Sequence, residues 1–281
     1  MNRIILIFLL GFVANLSVLL AQNDLTCGTL LGENQKTFES KYPMPQGTAT
    51  QALPQVNRVV HVSVYVVSGA VSFNTSSLVP VIEDSLNQYF GRISLRFKIC
   101  NTTLVTNHQF DSLNVMINGP ELIKQYSERN TINLYLVTNL IAANGKNASG
   151  LTYMPVDSNM NYIFVEKKSF SSLSMAHQLG HFFDLYHTHE TGFGPELPDK
   201  SNCSTTGDRC CDTEASPDLS LAKVDSVNCI YTDMLRVQNQ LYSPSLTNIM
   251  SSAPAKCRCC FSNTQYLRMV YALNNFRKYL R

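Results

Sequence analysis

Residues 177–187 read H-Q-L-G-H-F-F-D-L-Y-H, and with His189 they gather four of the chain's six histidines within a short stretch. No other segment constrains the fold as strongly. His177 and His181 are four apart, so on a helix their imidazoles share one face, a turn from each other. Two nitrogens placed in that way can reach one ion at about 2.0–2.1 Å each. His187 comes too late to share that face and joins the pair only if the chain turns sharply after Phe183. An isolated pair at this spacing is as readily a core or surface feature; the third histidine makes it a metal set. Three neutral nitrogens around one ion with an open fourth position describe a catalytic-type zinc site, so Zn2+ is the expected cofactor.

The remainder of the chain bounds its setting. Arg3 precedes an apolar run from Ile4 to Leu20, closed by Ala21 and the polar Gln22-Asn23-Asp24. This pattern predicts a secretory signal peptide over residues 1–21. No later stretch is long and apolar enough to span a bilayer, so the mature protein is expected to be secreted, with no membrane partner. The nine cysteines agree with an oxidising compartment. At 44% hydrophobic and 15% charged residues the chain is too apolar for disorder, and a net charge of +2 gives no basic surface for nucleic acid.

Residues 22–55 are polar and rich in turn formers, which predicts a leader or pro-segment lying over a domain of residues 56–281. Strands are expected at Arg58 to Val67, Ile93 to Cys100, Thr131 to Leu140 and Tyr162 to Glu166, where β-branched and alternating apolar residues concentrate. The apolar spacing of Leu78, Val81, Ile82, Leu86 and Phe90 predicts an amphipathic helix over Ser77 to Phe90. Further helices are expected over Ser171 to Phe183 and Thr264 to Leu280, separated by a loop-rich stretch carrying most cysteines. The fold class is therefore α+β, a mixed sheet with helices packed on it.

The stretch AHQLGHFFDLYHTHE resembles the zinc signature HExxHxxGxxH of the metzincin endopeptidases, and its flanks resemble the pappalysin family within that clan. GDRCCDTEASPD at Gly207 to Asp218 and TNIMSSAPAKC at Thr247 to Cys257 are similar to two further segments of that family, the second being its Met-turn. The resemblance implies an upper subdomain of mixed sheet and two main helices over a lower, disulfide-stapled, loop-rich one that carries the Met-turn and a C-terminal helix. It implies His177, His181 and His187 as zinc ligands, Met250 as the floor beneath the metal, and a peptide or protein in the cleft between the subdomains. It also implies a Ca2+ ion near Asp208 and Asp212, against the plainer reading of a solvated acidic loop. Cys203, Cys211, Cys229 and Cys257 stand where relatives carry loop-stapling bridges, in a pairing that the resemblance leaves open. Cys27, in Cys-Gly-Thr, resembles the thiol that closes the metal's fourth position in latent members; the rival is a bridge from Cys27 to Cys100.

Three departures bear on turnover. Gln178 stands where the family carries its general-base glutamate, and an amide cannot take a proton from a water near neutral pH. Loss of a general base costs about 10²–10⁴-fold in rate. Asp184 replaces the glycine that ends the helix in a left-handed turn, a conformation Asp adopts at modest cost. Ser252 replaces a tyrosine beside the Met-turn. The expected function is thus a secreted zinc-binding protein of the metalloendopeptidase type with peptide hydrolysis reduced or lost; the rival is a working endopeptidase.

Overall fold

The structure, a computed structural model, describes residues 26–280 apart from 30, 32, 49 and 156–159; the expected signal peptide lies outside the described residues. Five strands form one sheet, in the spatial order Leu95–Val105, Arg58–Val67, Ile132–Val137, Tyr162–Glu166, Gly150–Thr152. The first four run parallel, and the short edge strand Gly150–Thr152 runs antiparallel to its neighbour. Arg58–Val67 shows how the sequence selects its faces, because successive side chains alternate across a strand. Val60, Val62, Val64 and Val66 point into the larger core with the two long helices, whereas Tyr65 and Val67 point into a second core on the opposite face. The larger core joins the sheet to helix Ser172–Phe182, the last helix Asn263–Asn275, and Met250.

The differences from expectation have local causes. The Ser77 to Phe90 helix forms as a wide π-type turn over Pro80–Ser85 that narrows to α over Leu86–Phe90. There Ser85 Oγ donates to Pro80 O and Asn87 Nδ2 to Glu83 O, so side chains cover carbonyls of the irregular turn. The strand expected from Ile93 begins at Leu95, because Ser94 sits at φ 52° and turns the chain into the sheet. The strand expected to reach Leu140 stops at Val137, where the backbone N–H groups of Thr138 and Asn139 both donate to Asp111 O. Beyond this break Asn139–Ile141 pairs with Ser112–Asn114 instead.

Among the elements not foreseen, two bear on the site. The leader contains a helix, Glu33–Lys41. Edge strand Gly150–Thr152 also forms, and it receives the leader alongside it. Gly28 N donates to Gly150 O at 2.8 Å, Ser149 N donates to Thr26 O at 2.7 Å, and Cys27 bridges Gly150 in parallel. Gly28 is required at this crossing, since a Cβ there would stand 2.8 Å from Ala148 Cβ.

Candidate metal centre

Helix Ser172–Phe182 starts where Ser171 accepts a hydrogen bond from Ser174 N at 3.2 Å, a side-chain cap for the free amides of the first turn. It ends as the histidine spacing demands. Asp184 takes φ 74°, its N–H donates to His181 O, and Leu185 N–H donates back to Gly180 O. This pair of bonds around a left-handed residue is a Schellman close, and it turns the chain sharply enough to return His187 to the helix. Below, Met250 packs so closely on the helix that a Cβ at Gly180 would stand 2.5 Å from its sulfur. Met250 is fully buried against this helix.

The three Nε2 atoms converge. His181 and His187 are 3.0 Å apart, His181 and His177 3.2 Å, and His187 and His177 3.3 Å. Cys27 Sγ completes the group at 3.4 Å from His181 Nε2, and all four ligand atoms lie within 4.8 Å of one another. Among the described residues this is the one group of histidine, cysteine and carboxylate atoms so arranged. Donor chemistry shows why a cation fits. Nδ1 of His177 contacts Ile249 O and Nδ1 of His181 contacts Leu185 O, each at 2.8 Å, so both rings donate there and turn a bare Nε2 lone pair inward. Burial pushes the His177 imidazole down to about 4, which keeps it neutral. Lone pairs facing one another repel unless a positive ion sits between them. For tetrahedral bonds of zinc length, nitrogens lie about 3.3 Å apart and nitrogen and sulfur about 3.6 Å, close to the observed spacings. Burial works against the Cys27 thiolate, but the neighbouring histidines outweigh it and hold the thiol well below its usual range.

Gln178 lies on the same helix, buried, with Nε2 3.6 Å from Cys27 Sγ and Oε1 without a partner. No carboxylate of the motif region stands in for it. Glu190 Oε1 accepts from the N–H groups of Thr191 and Gly192, and Asp184 is fully buried against Arg268. Ser252 Oγ accepts from Leu219 N at 2.8 Å and lines a cavity of about 200 Å³ beside His177 and His187, together with His189, Asp218 and Arg258.

The cysteines sort as two staples, Cys203–Cys211 and Cys229–Cys257, using the four residues singled out from the sequence. Cys259 bridges Cys260, while Cys27, Cys100 and Cys210 are free thiols, so the rival bridge from Cys27 to Cys100 is not formed. Asp208 and Asp212 do not converge on one point. Asp208 accepts from Cys210 N and Thr213 Oγ1, whereas Asp212 spends its two oxygens on Ser262 Oγ and Thr264 N at the start of the last helix. The sequence reading missed Glu196. Both its carboxylate oxygens are buried without a hydrogen-bond partner, and burial, with the charge of Asp208, pushes it up to about 8. Its acidic type in a glycine-flanked loop was the only available signal.

A family model of peptidases described as pregnancy-associated plasma protein-A matches residues 122–274. The fold is similar to Tannerella forsythia mature mirolysin in complex with a cleaved peptide, with TM-score 0.57, 16% identity, and 81% of this chain and 96% of that one covered. It is likewise similar to mirolysin in complex with a small compound, with TM-score 0.51, 17% identity, and 79% and 96% covered. No curated protein sequence matches the chain.

Proposed function

Since the chain belongs to the pappalysin family of metzincin metallopeptidases, we propose that it is a secreted zinc-binding member whose cleft binds peptide or protein segments and hydrolyses them weakly or not at all. Secretion rests on the leading apolar segment, the disulfides and the absence, among the described residues, of any helix long and apolar enough to cross a membrane. His177, His181 and His187 would hold the metal, with Met250 beneath them. A bound zinc ion supplies a Lewis acid and an acidified water in such sites. Edge strand Gly150–Thr152 would take an extended peptide by backbone pairing, as it takes the leader.

Gln178 carries the reading of impaired turnover. Its amide can orient and donate, as it does to Cys27 Sγ, but it cannot accept and relay a proton. The test is peptide cleavage by the mature protein beside Gln178→Glu, with the leader, residues 22–55, removed from both. A gain of about 10²-fold or more for Gln178→Glu is expected; equal rates would falsify the impaired-enzyme reading in favour of a working endopeptidase. Zinc content of His181→Ala against the parent tests the ligand set, and an unchanged stoichiometry would sink it.

Cys27 supports a latent state, with its thiol over the three imidazoles where the fourth ligand belongs. Zinc chelation is expected to speed alkylation of Cys27. A second cation near Asp208 would draw on Glu196, whose buried carboxylate oxygens have no hydrogen-bond partner, while Asp212 is spent on the last helix. Adding calcium should raise the melting temperature of the parent and leave Glu196→Gln unmoved; an equal rise in both removes the assignment.

A further inference from the structure

The leader touches the body at a second place, and there the contact is ionic, buried and independent of the histidines. Helix Glu33–Lys41 turns Gln35 and Glu39 inward, each 1% exposed. Glu39 Oε1 meets Arg268 Nη2 at 2.6 Å and accepts from Tyr186 Oη at 2.6 Å. Its other oxygen lies 3.4 Å from Arg209 Nη1. Gln35 Nε2 donates to Tyr186 Oη at 2.6 Å and to Asp184 Oδ1 at 3.3 Å, and Asp184 Oδ2 holds Arg268 Nη2 at 2.9 Å. Rings close the rim: Phe38 lies 4.7 Å and Tyr42 5.2 Å from Phe276, centroid to centroid.

We propose that the body carries a carboxylate-binding socket, built by Arg268, Arg209 and Tyr186, that binds Glu39 and holds the leader in place after the chain is cut downstream of it. Both charges of the Glu39–Arg268 pair are wholly withdrawn from water, with 0% side-chain exposure on each. Withdrawing Glu39 leaves the Arg268 guanidinium with Asp184 as its one carboxylate partner, so the contact resists separation. The exposed stretch from Thr50 to Ala52 and at Pro54 and Gln55 offers a protease its easiest entry to the leader's downstream end. A cut there leaves Cys27, Gln35 and Glu39 together on the released side. Cleavage alone would therefore not open the cleft; the fragment must also leave the socket. The socket deepens the latent-state reading and rests on it for the cleft's closure, while the anchor itself stands on the ionic geometry.

The experiment nicks the full secreted chain between Thr50 and Gln55, with the site fixed by mass spectrometry, and follows the fragment by gel filtration. In the nicked parent the fragment is expected to co-elute with the body, with a zinc chelator present as well as without it. Cys27→Ser should retain it too, whereas Glu39→Gln should release it at least about tenfold faster, because the leader's own charge on Arg268 and Arg209 is gone. Release from the nicked parent once chelator is added would overturn the socket, and so would retention by Glu39→Gln equal to the parent. The chelator arm needs no variant, so it decides the matter even if Glu39→Gln fails to fold. Alkylation of Cys27 in the same samples reports the thiol contact separately. Retention with no change in Cys27 labelling on chelation would leave the socket standing and remove the thiol–metal reading.

Discussion

Asp184 carries two loads at once. Its backbone supplies the left-handed turn that brings His187 back, and its carboxylate faces Arg268 in the buried cluster. Glycine would relax the turn by about 1 kcal/mol. It would also strip a carboxylate from a buried guanidinium, a loss of about 3–5 kcal/mol when no partner remains. Glu39 still pairs with Arg268, which draws the loss toward the lower figure. Asp184→Gly is therefore expected to destabilise the protein by a net ~2 kcal/mol, read by denaturant unfolding; a stabilised variant would mean that backbone strain outweighs the ion pair. The sequence displayed the turn, because three histidines at these spacings require it, but the reason for a carboxylate there was hidden in a contact with a residue far away in the chain.

Elements were legible where burial follows apolar periodicity. Arg58–Val67 and Tyr162–Glu166 form over the expected residues, and helix Ser172–Phe182 lies within its expected bounds with Ser171 as cap. Helix Glu33–Lys41 was invisible for the converse reason, since the face it buries is made of Gln35 and Glu39 as well as Phe38. A helix that buries charge looks like a solvated segment until its counter-charges are located. Strand ends were likewise set by distant polar groups. Asp111 accepts from Thr138 N and Ala70 N and pairs with Lys167 Nζ at 3.0 Å, tying the end of strand Ile132–Val137 to the segment after Glu166. Burial works against that carboxylate, but bonds from Thr138, Lys167 and Ala70 prevail and hold it below the ordinary value. A depressed native value gives stability that is present above the unfolded pKa of about 3.9 and lost as pH falls through the native one. Melting temperatures from pH 5 down to 2 should thus fall less steeply for Asp111→Asn than for the parent; parallel curves would exclude the contribution.

Across the whole molecule, the α+β architecture and the histidine set followed from local pattern and resemblance, while the way the leader is held did not. The four clustered ligand atoms join three parts of the chain: the leader through Cys27, the upper helix through His177 and His181, and the returning loop through His187. An ion there would tie the parts together, and binding to the folded state alone stabilises by mass action. Chelation is expected to lower the melting temperature of the parent, with a smaller drop in His181→Ala; equal drops would place the effect at another ion. The two staples have a different consequence. Cys229–Cys257 spans the hairpin of Arg236–Val237 with Gln240–Leu241 and also Met250, so a break in the backbone anywhere inside that span leaves both pieces covalently attached. No disulfide among the described residues joins the leader to the body. Topologically the chain is thus a line whose closed loops all lie beyond Cys203, and a single scission after the leader makes leader and body separate molecules, leaving only reversible contacts to keep them neighbours.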